Sequence, residues 1–243
     1  MQREYHRWHS PHLGRDMELL AFGHAGAKVL IFPTREGRFY EYENLRLVDA
    51  LAPKIDAGHL QLWCVDGIAS ETFYSGPWRP PIDRMRRHSQ YEAYLLHEVL
   101  PLMQQRNPHA CTIAHGCSLG AYQAANLAFR HPHLFQKLVA FSGRYDLTLS
   151  VEHFDDLLGG HYDEDVYFHT PSHFLPQLDC AWRLEHLRRM DIVLTIGADD
   201  PFLDNNRRLS AILDGKGIGH RLHVWDGRAH CGGAWRRMAR LYV

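Results

Sequence analysis

The stretch His115-Gly116-Cys117-Ser118-Leu119-Gly120 limits what this chain can fold into more than any other. The run before it, Ala110-Cys111-Thr112-Ile113-Ala114, is short, apolar and partly β-branched. Such a run reads as a buried strand. The run after it, Ala121 to Phe129, is rich in helix formers. Ala121, Ala124, Ala125, Ala128 and Phe129 recur there at helical spacing. A strand therefore turns into a helix at Ser118. Gly116 and Gly120 flank the turn and bring no side chains where strand and helix approach closely.

In that context G-x-S-x-G is the pattern of a nucleophile elbow. A strained turn lifts the serine above the sheet. Its oxygen then sits near a helix N-terminus, where free backbone N–H groups meet negative charge.

The rest of the chain supports a sheet around this turn. Residues 3–10 and 16–22 pattern as an antiparallel pair joined by Pro11 to Gly14. Lys28 to Phe32, Leu60 to Val65, Leu138 to Phe141, Ile192 to Gly197 and residues 221–225 read as further strands. Helical patterns cover 41–55, 83–105, 203–215 and 233–241. Residues 68–81 are loop-like. Residues 147–190 carry no strand pattern and hold Gly159-Gly160, Pro171 and Pro176. They read as a cap-like insertion of short helices. Alternating strands and helices imply an α/β fold, a mostly parallel central sheet with helices on both faces. No linker or internal repeat divides the 243 residues, so one domain over 1–243 is expected.

Composition narrows the function classes. Lys and Arg number 27 against 28 Asp and Glu, a net charge of −1. No overall field favours nucleic acid or an anionic membrane. No apolar segment approaches the roughly 20 residues of a membrane span. The N-terminal residues lead into no secretory h-region. A cytoplasmic location is the expectation. The five cysteines, Cys64, Cys111, Cys117, Cys180 and Cys231, show no C-x-x-C spacing. The 19 histidines are scattered and form no H-E-x-x-H. Neither metal nor cofactor is expected.

A serine hydroxyl needs a base, and the base a carboxylate to orient it. Asp199-Asp200-Pro201 follows the strand Ile192–Ile196, at the end where α/β sheets place their sites. Asp200 is preferred over Asp199 because its G-x-x-D-P setting looks like the acid loop of many serine hydrolases. One of the two caps the following helix. His230 lies after the last strand and before the last helix. The order Ser118, Asp200, His230 is the Ser, acid, His order of α/β-hydrolases. For the oxyanion, the Leu119 N–H is one expected donor. The second comes from the loop after Lys28–Phe32, with Arg35 chosen and Thr34 the alternative. Cys117, beside Ser118, should point away from the site.

These residues resemble the esterase branch of the α/β-hydrolases, the group of esterase D, S-formylglutathione hydrolases and mycolyltransferases. The resemblance rests on Phe32-Pro33-Thr34, Tyr91-Glu92, Leu100-Pro101, the elbow, Phe141-Ser142-Gly143, Gly197 to Leu203, and His230. It implies hydrolysis or transfer of an acyl group through an acyl-serine, without cofactor. The expected partner is a small-molecule ester or thioester. Acyl transfer to another acceptor is the alternative within enzymes, and a non-catalytic binding protein on the same fold is the alternative outside them. Thr34, Trp78, Phe168 and His169, with Phe174, are the candidate pocket residues. Arg35 and Arg38 either favour an anionic ester or are solvated surface. The chain departs from the expected pattern at Cys231-Gly232-Gly233, where a bulky pair should follow the histidine. Those glycines would loosen the loop that holds His230.

Overall fold

A computed structural model describes residues 1–243. It contains one eight-stranded sheet in the order β1-β2-β4-β3-β5-β6-β7-β8. The strands are β1 (Arg3–Ser10), β2 (Arg15–Phe22), β3 (Ala27–Phe32), β4 (Leu60–Val65), β5 (Thr112–Cys117), β6 (Lys137–Phe141), β7 (Asp191–Gly197) and β8 (His220–Trp225). β2 runs antiparallel to β1 and β4, and all neighbours from β4 to β8 are parallel. This is the α/β-hydrolase fold.

The central strands read as continuous apolar runs because both of their faces are covered. Leu30 and Phe32, Ala114, Leu138 and Ala140, and Ile192 and Leu194 face one cluster. Val29 and Ile31, Ile113 and Cys117, and Val139 and Phe141 face the other. That is the two-residue alternation of a pleated strand. On the first face lie α3 (Pro81–Tyr94), α4 (Leu100–Arg106), α5 (Leu119–Arg130), α8 (Ala181–Arg189) and α9 (Leu203–Gly215), through residues such as Tyr94, Met103, Ala124, Leu187 and Leu209. On the second lie α1 (Glu41–Asn44), α2 (Leu47–Asp56) and α10 (Gly232–Tyr242), through Tyr42, Leu51 and Met238. Edge strand β1 is studded with Arg3, His6, Arg7 and His9, which discourages pairing with another chain.

Two helical runs differ from the periodic reading. The pattern over 41–55 splits into α1 and α2, because Arg46 adopts a left-handed φ of 59° between them. The pattern over 83–105 is helical throughout, but Leu95–Val99 form a π turn between α3 and α4. Pro101 follows at once and has no N–H to donate, so the wider turn absorbs the missing bond. The elbow strand begins and ends later than its sequence pattern, at Thr112 and Cys117, because Gly116 and Cys117 still pair with β6.

Between β6 and β7 the chain forms α6 (Glu164–Phe168), α7 (Pro171–Phe174) and α8. Leu147, Leu157, Leu158 and Val166 from this segment build a small cluster with Leu119 and Tyr122. Its later part, through Leu175, Leu178 and Leu187, joins the main core. No helix of the chain is long and apolar enough to cross a membrane.

Candidate active site

Ser118 stands between β5 and α5 with φ 56° and ψ −120°. A non-glycine residue holds such a backbone only where its surroundings over-determine it. The two glycines supply that constraint. A Cβ on Gly116 would lie 2.3 Å from the carbonyl of Gly120, and one on Gly120 would lie 2.4 Å from the Phe32 carbonyl oxygen. The backbones of β5, α5 and β3 are thus packed in direct contact, and the serine is the residue turned out. Its own N–H donates to Phe141 O at 2.8 Å, which pins the turn to β6.

The motif's other side chains are turned into the fold. His115 is buried and bonds through Nδ1 to Val139 O at 2.7 Å and through Nε2 to Tyr42 Oη at 3.0 Å. Burial lowers its pKa to about 4, so it stays neutral. Cys117 is buried beneath the sheet, and burial pushes its thiol well above the ordinary value. That rules against a thiolate nucleophile at this turn.

Asp200 and His230 meet across the ends of β7 and β8. His230 Nδ1 lies 2.7 Å from Asp200 Oδ2. The Asp200 carboxylate is sealed from solvent, while the imidazole is 22% exposed. The second carboxylate oxygen accepts the Phe202 N–H at 2.9 Å. Asp200 therefore both holds the histidine and caps its own turn, whereas Asp199 is exposed and contributes its backbone N–H to Gly227 O. With Nδ1 engaged, Nε2 is the ring nitrogen that faces the cavity shared with Ser118. Ser118 and His230 line the same cavity, and neither Ser118 Oγ nor His230 Nε2 is hydrogen-bonded within the chain.

Two residues of unusual backbone hold the histidine loop. Ser142, at the end of β6, has φ 54°, and Ala229, before His230, has φ 48°. Ser142 Oγ donates to Ala229 O at 3.4 Å and accepts the Trp235 indole N–H at 3.1 Å. The Trp235 ring also packs on His230, with centroids 5.4 Å apart. Sequence reasoning missed both residues. Phe141-Ser142-Gly143 was a visible signal, but only position after β6 gives Ser142 its role.

Gly232 and Gly233 do not loosen this loop. They are the first residues of α10, and a side chain at position 232 would meet Leu45 at 3.2 Å and Arg236 at 3.4 Å. The bulky residue that packs on His230 is Trp235, one helical turn further on.

Of the two expected oxyanion donors, Leu119 opens α5 directly after Ser118 and lines the cavity, and Arg35 stands in the loop after β3. The Leu119 N–H is the first of α5 and has no backbone acceptor, as helix geometry requires. After β3, the Thr34 N–H is taken by Glu41 Oε2 at 2.7 Å, and its hydroxyl donates to the same carboxylate. Thr34 thus has no amide to offer and takes no part in the cavity. The Arg35 N–H has no acceptor within the chain. The Arg35 guanidinium lies 4.8 Å from the Tyr74 ring centroid, and Tyr74 is a wall of the cavity.

That cavity has a volume of about 50 Å³. Its apolar walls are Leu119, Tyr122, Leu147, Phe154, Leu157 and Phe202. The pocket residues expected from sequence lie elsewhere. Trp78 is 70% exposed in a surface groove beside Arg79 and Arg86. Phe168, His169 and Phe174 line a separate cleft with Arg130 and Arg183. His169 stands behind the wall, where its carbonyl accepts the Tyr122 hydroxyl at 2.8 Å. Aromatic character alone gives no indication of which side of a wall a residue occupies. Arg38 is also withdrawn: it pairs with Asp66 and Glu18.

A family model described as "Putative esterase" matches residues 42–238. The chain belongs to this esterase family. No curated protein matches the esterase in sequence. Its fold resembles a ferulic acid esterase, at a TM-score of 0.75 and 16% identity over 99% of this chain and 95% of that one. It resembles equally FphF, a fluorophosphonate-binding serine hydrolase of Staphylococcus aureus, at 0.75 and 15% over 99% and 96%. The S-formylglutathione hydrolase FrmB of Staphylococcus aureus follows at 0.72 and 15%, over 99% and 94%. At such identities the likeness is one of fold, and the matched fold includes the sheet ends on which Ser118, Asp200 and His230 stand.

Proposed function

We propose that this esterase is a serine carboxylesterase that hydrolyses a small acyl ester or thioester through an acyl-serine intermediate. The observation that carries this reading is the convergence of Ser118 on its strained turn with an Asp200–His230 pair of 2.7 Å in one cavity.

This reading assigns each step to a residue of the site. His230 Nε2 takes the Ser118 proton as Oγ adds to the substrate carbonyl carbon. Asp200, bonded to Nδ1, fixes the tautomer and stabilises the imidazolium that forms. The carbonyl oxygen becomes an oxyanion held by the Leu119 and Arg35 N–H groups, which need no reorganisation at that moment. His230 then gives its proton to the departing alcohol or thiol, leaving an acyl-serine. Water repeats the sequence on that ester and regenerates Ser118. No cofactor enters any step.

Comparison of wild type with Ser118→Ala on short-chain 4-nitrophenyl esters tests this. The variant should fold normally and lose a factor of at least about 10⁴ in kcat. Near-normal turnover in a folded variant would exclude Ser118 as the nucleophile.

A further inference from the structure

Arg144 follows β6 and Gly143 and is a wall of the Ser118 cavity, yet it is only 8% exposed. Its Nε donates to Asp146 O at 2.9 Å. Its Nη2 donates to Leu147 O at 3.2 Å, to Asp155 O at 2.9 Å and to Leu149 O. Every one of these acceptors is a neutral backbone carbonyl. The Nη1 group has no partner within the chain. No carboxylate lies at ion-pair distance: Asp146 is engaged by His173, Thr148 and Arg208, and Asp156 by the amides of Leu158 and Gly160.

Asp146, Asp155 and Asp156 attract the guanidinium from beyond contact distance, but a buried guanidinium without a direct ion pair is still costly, because carbonyl dipoles replace only part of its hydration. Holding a loop through its carbonyls is work that neutral donors also perform. The charge is what the loop does not need. Burial pulls Arg144 below the ordinary arginine value, whereas Arg38, facing Asp66, is raised. None of the cavity walls is acidic. An incoming anion would supply the missing partner, and guanidinium is suited to a carboxylate.

Cavity size decides which part of the substrate enters. A single water needs about 10–15 Å³. The volume of about 50 Å³ therefore admits a chain of a few heavy atoms. An alcohol must leave while the acyl group stays on Ser118, so the narrow cavity suits the acyl half. Resting on the serine-esterase reading above, we propose that the substrates are esters of short dicarboxylic acids, whose free carboxylate is bound by Arg144.

The test compares kcat/KM for acid and amide partners of equal size. Monoethyl malonate is set against ethyl malonamate, and monoethyl succinate against ethyl succinamate, each normalised to its hydroxide-catalysed rate. Wild type should prefer at least one acid by about tenfold or more, the scale of a charge-assisted bond against a site left unpaired. The preference should fall to about one in Arg144→Met and persist in part in Arg144→Lys. If Arg144→Met fails to fold, the wild-type ratios and Arg144→Lys still decide. Equal or better turnover of both amides by wild type overturns the proposal. So does an anion preference seen only with acetoxyacetate, which carries its carboxylate on the alcohol side. Binding of malonate and succinate to wild type, followed by calorimetry against the neutral diamides malonamide and succinamide, separates the two readings. Acid-selective binding without turnover of any ester leaves the Arg144 site standing and defeats the esterase mechanism. Absence of acid-selective binding together with hydrolysis of neutral esters does the reverse.

Discussion

The two walls of the cavity are built by different rules. Ser118, Asp200 and His230 stand at the carboxyl ends of the parallel strands β5, β7 and β8, or on the turns that follow them. Tyr74, Leu147, Phe154 and Leu157 come from long connections that have no strand register. On the first wall, position along the chain nearly determines position in space, because parallel strands all end on one side of the sheet. On the second, position depends on how a loop folds over itself. In the proposed function, the first wall carries the acyl chemistry and the second selects the acyl group.

The largest effect that probes this division is on the first wall. Asp200→Asn should lower kcat by about 10⁴-fold, since the amide stabilises the wrong imidazole tautomer. Asp199→Asn, altering an exposed side chain, should stay within about threefold of wild type. Steady-state kinetics of the two variants check the ranking. The reverse order would move the orienting role to Asp199.

Next comes the framework beneath the elbow. A methyl group at Gly116 would meet the Gly120 carbonyl at 2.3 Å, with backbone on both sides. Gly116→Ala should cost about 3 kcal/mol of stability and distort the turn that presents Ser118. Urea unfolding measures the loss. A variant of unchanged midpoint would show that the turn has room the backbone geometry denies.

The second wall has its own anchor. Burial by itself would raise Asp146, but hydrogen bonds from His173 and Thr148 hold it down at about 2 against the ordinary 3.8. A carboxylate depressed in the folded state stabilises the fold above its unfolded pKa. That contribution disappears as pH falls through the folded value. Asp146→Asn should therefore be less stable than wild type by about 2 kcal/mol at pH 7. The difference should shrink as pH falls from about 4 towards 2. A difference independent of pH would mean that shape, and not charge, anchors this wall.

The smallest expected effect lies where the walls meet. Trp235→Phe keeps the ring on His230 but removes the N–H given to Ser142 Oγ. One such bond is worth about 1 kcal/mol, so kcat should drop about fivefold with KM unchanged. An equal change in KM would point to a binding role for this contact.

The same division explains what the sequence disclosed. The elbow, the strands themselves and the family resemblance were legible because G-x-S-x-G, apolar runs and strand-end carboxylates obey local rules. The positions of Ser118, Asp200 and His230 followed from those rules. The pocket residues did not. Trp78 and Phe168 were chosen for their aromatic rings, but both lie on other surfaces, and the cavity is walled by Tyr74, Leu147 and Phe154. Arg144 was passed over because a single arginine after Ser142-Gly143 has no local signature. Its meaning lies in the carbonyls that close around it and the carboxylate that does not. Gly232 and Gly233 misled in the opposite direction: they looked like slack beside His230, and they open a helix.

The central claim is that Ser118 is the atom acylated, with His230 as its base. A fluorophosphonate reacts with an activated serine, so labelling followed by mass mapping of the modified peptide tests it most directly. The account predicts one phosphonyl group per chain, carried on Ser118, absent in Ser118→Ala and greatly slowed in His230→Ala. A label on any other residue, or none at all on a preparation that is hydrolysing ester, would contradict it.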